Sequence, residues 1–149
     1  MVKILFVCTG NTCRSKMAEQ IAKHVIKERG LLNSVKCASA GVNVEEGDKT
    51  ENFVKLALTT VGIKATLTKS RTLEEVKPHK FNYVIVPTER HKIFLQEQFN
   101  LRRVYTIAEL AGGDDMPDPY GMEYVVYRRY AELLKPKIEK IIDKLVTIL

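Results

Sequence analysis

Three cysteines, a small and odd number for 149 residues, cannot supply the disulfide framework of a secreted scaffold, so a reducing, cytoplasmic setting is expected. No stretch is long and apolar enough to span a bilayer, and the apolar run over residues 4–7 is too short for a secretory signal. No membrane association is therefore expected. Repeats and low-complexity segments are lacking. No cysteine pair has zinc-like spacing, and His24, His79 and His91 lie far apart, so no metal is expected and the histidines read as surface residues. Gly10 has no partner glycine at the spacing of a dinucleotide fingerprint, and the lysine of a nucleotide P-loop is missing, which excludes NTP and NAD sites.

What is present fits one globular domain over residues 1–149, with 45% hydrophobic and 28% charged residues. Lysine and arginine outnumber aspartate and glutamate by 24 to 18, and the resulting charge of +6 draws anions toward the surface. The basic residues are scattered, as at Lys23, Lys27, Arg102, Arg103 and Lys135, which argues for a solvated surface and against a nucleic-acid partner.

Residues 2–7 form an apolar run broken only by Lys3, the pattern of a strand buried on both faces. Over residues 15–29, Met17, Ile21, Val25 and Ile26 recur at helical spacing, with Gly30 as the stop. A second strand is expected over residues 35–40. A helix with an apolar stripe of Phe53, Leu56, Ala57, Thr60 and Val61 comes next, then a short turn near residues 73–76 and a third strand over 83–86. Thr88 can cap a helix over residues 89–99, because its hydroxyl can accept a first-turn amide. A fourth strand over 104–107 precedes a loop over 112–121 rich in glycine, proline and aspartate. The last helix carries Val126, Tyr130, Leu133, Leu134, Ile138, Ile141, Ile142 and Leu145, with a kink expected at Pro136. Alternating strands and helices predict an α/β fold with a parallel sheet covered on both faces, whose ligands sit beyond the carboxyl ends of the strands. Cys8 stands at such an end.

The segment Cys8-Thr9-Gly10-Asn11-Thr12-Cys13-Arg14-Ser15 separates a cysteine from an arginine by five residues, between a strand and a helix. A loop curling into a helix N-terminus aims several backbone amides at one point, where a tetrahedral dianion can bind. Gly10 and Asn11 tolerate the positive φ that such a curl demands. Arg14 adds a planar fork for two phosphate oxygens and can follow them into the transition state. The same field favours negative charge on Cys8, the form in which sulfur is a nucleophile, and Ser15 can donate to it. Cys8 alone would read as a buried core thiol; with Arg14 and Ser15 beside it, covalent catalysis on a phosphoryl group is the better reading.

The reaction also needs a proton donor for its leaving group. Asp118 is the candidate, because Pro117 and Pro119 stiffen the backbone on either side of it. Asp114 and Asp115 are rivals, and a plain turn aspartate is the bland alternative.

Through residues 7–15 and Asp118-Pro119-Tyr120 the chain resembles the low-molecular-weight protein phosphatases over nearly its whole length. The resemblance implies a three-layer sandwich with a four-stranded parallel sheet in the flavodoxin-like order 2-1-3-4. It implies a cysteinyl-phosphate intermediate at Cys8, phosphate binding by Arg14, acid–base work by Asp118 and no cofactor. Asn11, Ser15 and Ser39 match residues that hold the phosphate loop in that family. The histidine that usually joins them is missing, and Thr68 stands near its expected place; Lys16 replaces a common proline.

Phosphorylated proteins are the expected substrates, with phosphate and other oxyanions as ligands. Tyrosine-directed relatives usually carry isoleucine where this chain has Thr12, whereas bacterial arginine phosphatases carry threonine, whose hydroxyl can orient a guanidinium. Tyr120 could instead wall a pocket for an aromatic ring. Cys13 either packs in the loop or forms a reversible disulfide with Cys8 that guards the nucleophile. Cys37 is expected to pack inside the second strand. Arsenate reductases share the scaffold but need further cysteines after the third strand, and phosphocysteine carriers need neither Arg14 nor Asp118.

Overall fold

The computed structural model describes residues 1–11, 13–44, 51–66, 69–119 and 121–147. Thr12, Thr68, Tyr120 and the acidic stretch over residues 45–48 lie outside the described residues.

The apolar run near the start becomes β1 (Val2–Cys8), buried from Ile4 onward. It runs in the middle of a parallel sheet, with β2 (Val35–Gly41) on one side and β3 (Tyr83–Val86) on the other; β4 (Val104–Thr106) pairs with β3, giving the order β2-β1-β3-β4. Ile4 and Phe6 join Ile85 in a core shared with α1 (Arg14–Glu28), α2 (Glu51–Thr60) and α6 (Tyr124–Val146). Leu5 and Val7 face the other way and pack with Leu73 of α3 (Leu73–Val76) and Leu95 of α4 (Glu89–Phe99). Helices therefore cover both faces, as the uninterrupted hydrophobicity of β1 demands. Each buried aliphatic or aromatic side chain contributes roughly 1.5–3 kcal/mol, so the strand that ends at Cys8 is firmly anchored.

Three elements differ from the sequence expectation. The buried face of α2 is Val54, Ala57 and Leu58, while Leu56 is exposed and Phe53 lies at the rim against Tyr124 and Tyr127. Both choices have helical spacing, and only the neighbouring α6 decides between them. The fourth strand stops at Thr106, where a short helix α5 (Ile107–Ala111) begins. Thr106 Oγ1 accepts the Glu109 amide at 2.9 Å and the Glu109 carboxylate accepts the Thr106 amide at 3.0 Å, a capping box that ends the strand. In α6, Leu133 is exposed, and Tyr127 is buried in the stripe the helix presents to the core; the helix continues through Pro136, which is exposed.

No helix among the described residues is long and apolar enough to cross a membrane.

Candidate active site

The register of the sheet builds the site. Cys8 pairs with Gly41 across β1 and β2, so the ends of both strands lie side by side under the segment that leads into α1. A Cβ on Gly41 would stand 2.8 Å from both the Asn11 amide nitrogen and the Thr9 carbonyl oxygen, so only glycine lets the two backbones approach. The Asn43 amide then donates to the Thr9 carbonyl at 2.8 Å and the Val42 amide to the Cys8 carbonyl at 3.2 Å. Of the two residues that tolerate positive φ, Asn11 takes it, at 53°.

Asn11 is fixed on every side. Its backbone carbonyl accepts the Ser70 hydroxyl at 2.9 Å, and its side-chain Oδ1 accepts the Arg71 amide at 2.9 Å. That leaves Nδ2 to donate to Ser15 Oγ at 2.8 Å and to Ser39 Oγ at 2.9 Å. Ser39 in turn donates to the Glu19 carboxylate, whose second oxygen accepts Lys23 Nζ at 2.6 Å. Because Glu19 accepts the Ser39 proton, Ser39 can only accept from Asn11, and because Asn11 also donates to Ser15, the Ser15 proton is left for Cys8. Ser15 Oγ lies 2.9 Å from Cys8 Sγ. The chain of bonds thus carries a fixed polarity that ends in a donor aimed at the sulfur.

α1 starts without a side-chain cap bond from Cys13 and without an acidic residue in its first turn, so the positive end of its dipole faces no carboxylate of its own first turn. Arg14, the first residue of that helix, is buried and reaches Asp118 with Nη2 to Oδ2 at 3.4 Å. Asp118 itself is half exposed. Its rival Asp115 is committed elsewhere, since its carboxylate accepts the Glu89 amide at 3.0 Å at the start of α4. The Met116 amide donates to the Pro87 carbonyl and the Met122 amide to the Pro119 carbonyl, both at 3.0 Å, which holds the Asp118 loop over the cleft. The cleft itself, about 770 Å³, is lined by Thr9, Arg14, His91, Phe94, Met116 and Asp118 among others. A buried cysteine with a donor on it and an arginine fork with a carboxyl beside it are groups of the kind that covalent phosphoryl transfer uses.

A family model for low molecular weight phosphotyrosine protein phosphatase matches residues 3–147. The chain belongs to this family. Among phosphatase relatives, the protein-arginine-phosphatase of Geobacillus stearothermophilus is 34% identical, with 97% of each chain covered. The crystal structure of the low molecular weight protein tyrosine phosphatase from T. tengcongensis is 35% identical with a TM-score of 0.86, covering 97% of this chain and 99% of that one. A YwlE arginine phosphatase, solved as a cysteine-to-serine mutant with a phosphorylated active-site serine, is 31% identical with a TM-score of 0.84, covering 97% of this chain and 95% of that one.

In this phosphatase, the side chains at the site that were not assigned a function from the sequence include Glu19, Ser70 and His91. Glu19 is buried on α1 and anchors the loop through Ser39. His91, expected at the surface, is half-buried in the cleft, with Nε2 3.0 Å from Thr9 Oγ1 and Nδ1 2.6 Å from Thr88 Oγ1. Thr88 caps α4 as expected, accepting the His91 amide at 3.3 Å. Burial first, and the charge of Arg14 second, lower the His91 pKa to about 4. The position of His91 just beyond β3, at the carboxyl end of a sheet strand, was the available signal.

None of Cys8, Cys13 and Cys37 is joined in a disulfide. Cys37 makes only a long contact from Sγ to the Glu19 carbonyl at 3.7 Å, and burial, followed by the Glu19 charge, pushes its pKa up to about 12, which makes it inert. Burial likewise raises the Tyr130 pKa well above its ordinary value, so this residue of α6 stays a neutral phenol close to Arg14 and Cys8. Among the described residues no three metal-binding side chains gather.

Proposed function

We propose that residues 1–149 form one phosphatase domain that removes phosphate from protein side chains, with phosphoarginine preferred. The observation that carries the reading is the Ser15 donor on Cys8 at the carboxyl end of β1, with Arg14 at the start of the following helix paired to Asp118 in the adjoining cleft. Cys8 sulfur attacks phosphorus and forms an S–P bond as the bond to the leaving group breaks. Asp118 gives its proton to the departing nitrogen or oxygen. Water then attacks the cysteinyl phosphate, Asp118 takes its proton back, and phosphate leaves. Backbone amides of residues 9–15 and the Arg14 fork hold the phosphoryl oxygens throughout.

The preference for phosphoarginine rests on Thr12, whose hydroxyl suits a guanidinium better than the isoleucine of tyrosine-directed relatives, and on the arginine phosphatases among the similar proteins. From its place in the Asp118-Pro119-Tyr120 motif, Tyr120 is assigned to contact with the substrate side chain. The similarity to tyrosine phosphatases supports phosphotyrosine as the competing substrate. A nucleophilic thiol requires a reducing compartment, the cytoplasm, and a Cys8 to Cys13 disulfide would protect it against peroxide.

Phosphate release from phosphoarginine and phosphotyrosine peptides by wild type, Cys8→Ser and Thr12→Ile tests this. Wild type should favour phosphoarginine, Thr12→Ile should reverse the preference, and Cys8→Ser should be dead. A wild type that favours phosphotyrosine would overturn the specificity; activity that survives in Cys8→Ser would overturn the mechanism.

A further inference from the structure

His91 bridges two elements that the reaction must keep in register, the first turn of α4 and the phosphate loop. Its two ring nitrogens meet two hydroxyls at unequal distances, 2.6 Å to Thr88 and 3.0 Å to Thr9. Hydroxyl donors make shorter bonds than ring N–H donors, whose heavy-atom separations centre near about 2.9–3.0 Å. Thr88 Oγ1 already accepts the His91 amide, so its own proton is free for Nδ1. The ring proton then sits on Nε2 and is donated to Thr9. The charges around the ring are Arg14 and Arg90, which with burial disfavour its protonation, and Asp118 and Asp115, which favour it; burial prevails, so near neutral pH the ring is uncharged and carries one proton only. Thr9 Oγ1, having accepted from His91, cannot spend its proton on the imidazole. The Thr9 hydroxyl shares its cleft with Arg14 and Asp118.

We propose that His91 is a positioning residue of the phosphatase reaction: its Nε2–H bond turns the Thr9 hydroxyl outward, so that Thr9 donates to an acceptor oxygen of the bound phosphorylated peptide. This rests on the phosphatase reading of the same cleft. It assigns His91 a role that goes beyond capping, because Thr88 caps α4 through its oxygen whether or not the imidazole is present.

Two measurements test it. Long-range proton–nitrogen NMR of the imidazole at pH 7 should show a protonated Nε2 and a bare Nδ1; the opposite tautomer overturns the proposal. In a double-mutant cycle on phosphopeptide hydrolysis, His91→Phe and Thr9→Val should each lower kcat/KM on the order of tenfold, the double variant should lose no more than either alone, and Thr9→Ser should retain activity. Losses that multiply in the double variant would mean that the two side chains act separately, which sinks the proposal alone. A wild type inactive on both phosphopeptides would take the phosphatase reading down as well.

Discussion

The Ser15 hydroxyl oxygen stands 2.9 Å from the Cys8 sulfur and 2.8 Å from the Asn11 side-chain nitrogen. Since the asparagine nitrogen has only protons to give, the serine proton must go to sulfur. Replacing Ser15 with alanine removes that donor. The expected result is a fall in kcat and in the rate at which iodoacetamide alkylates Cys8, each by roughly tenfold, the order of one lost hydrogen bond. Alkylation unchanged in Ser15→Ala would show that the serine serves packing alone.

Glu19 sets the direction of the same chain of bonds from its buried end. Glu19→Ala leaves the Ser39 hydroxyl without its acceptor and Lys23 without its partner. A loss of about 2 kcal/mol in urea unfolding is expected, together with reduced kcat. Lys23→Ala should cost less, because the Lys23 ammonium is 47% exposed and water replaces much of what Glu19 supplies. Equal losses in the two variants would contradict this ordering.

Gly41→Ala places a methyl group 2.8 Å from backbone atoms of residues 9 and 11, none of which can swing away as a side-chain tip would. The loop must shift. A stability loss of about 1–3 kcal/mol is expected from overpacking, with weaker binding of vanadate as the sharper readout. Normal vanadate affinity in this variant would mean that the loop tolerates displacement.

Asp118→Asn keeps shape and removes the proton. With a phosphopeptide, kcat should fall by about 10²–10⁴-fold, and with p-nitrophenyl phosphate, whose leaving group needs little protonation, by much less. A uniform loss across both substrates would assign the proton to another group.

His91 makes stability depend on pH. Its pKa in the folded protein lies near 4, below the ordinary value of 6.5, so between those values the unfolded chain binds more protons than the folded one. The contribution is complete above pH 6.5 and is lost as pH falls toward 4. Wild type should therefore lose more in urea midpoint between pH 7 and pH 5 than His91→Gln does. Parallel declines in the two proteins would exclude His91 as the source.

The parallel sheet and its helices follow from local signals, an apolar β1 broken only by Lys3, glycine stops and helical stripes, whereas the order of the strands was implied by the family resemblance and not by any local signal. The phosphate loop was legible because its residues are contiguous, from Cys8 to Ser15. The supporting residues were not, for reasons of geometry. Glu19 lies among the apolar positions of α1, where a charge reads as surface until β2 brings Ser39 against it. His91 is remote in sequence from Thr9, and only the β1–β3 pairing brings β3 and the helix after it alongside the loop. The helix α5 had a visible signature in Thr106-Ile107-Ala108-Glu109, overridden by the apolar run that precedes it. The buried face of α2 depended on α6 and had no local determinant.

The ion pair between Arg14 and Asp118 has one more consequence. The Asp118 carboxylate stands 3.4 Å from one nitrogen of the Arg14 fork, where a phosphoryl oxygen of the proposed substrate would also bind. An incoming phosphoryl dianion competes with it for Arg14 and, on winning, releases the carboxyl toward the leaving group. In the proposed reaction the displaced carboxylate must take up a proton from solvent before it acts as the acid, so substrate capture and arming of the acid are linked, and inorganic phosphate is expected to compete for the same Arg14.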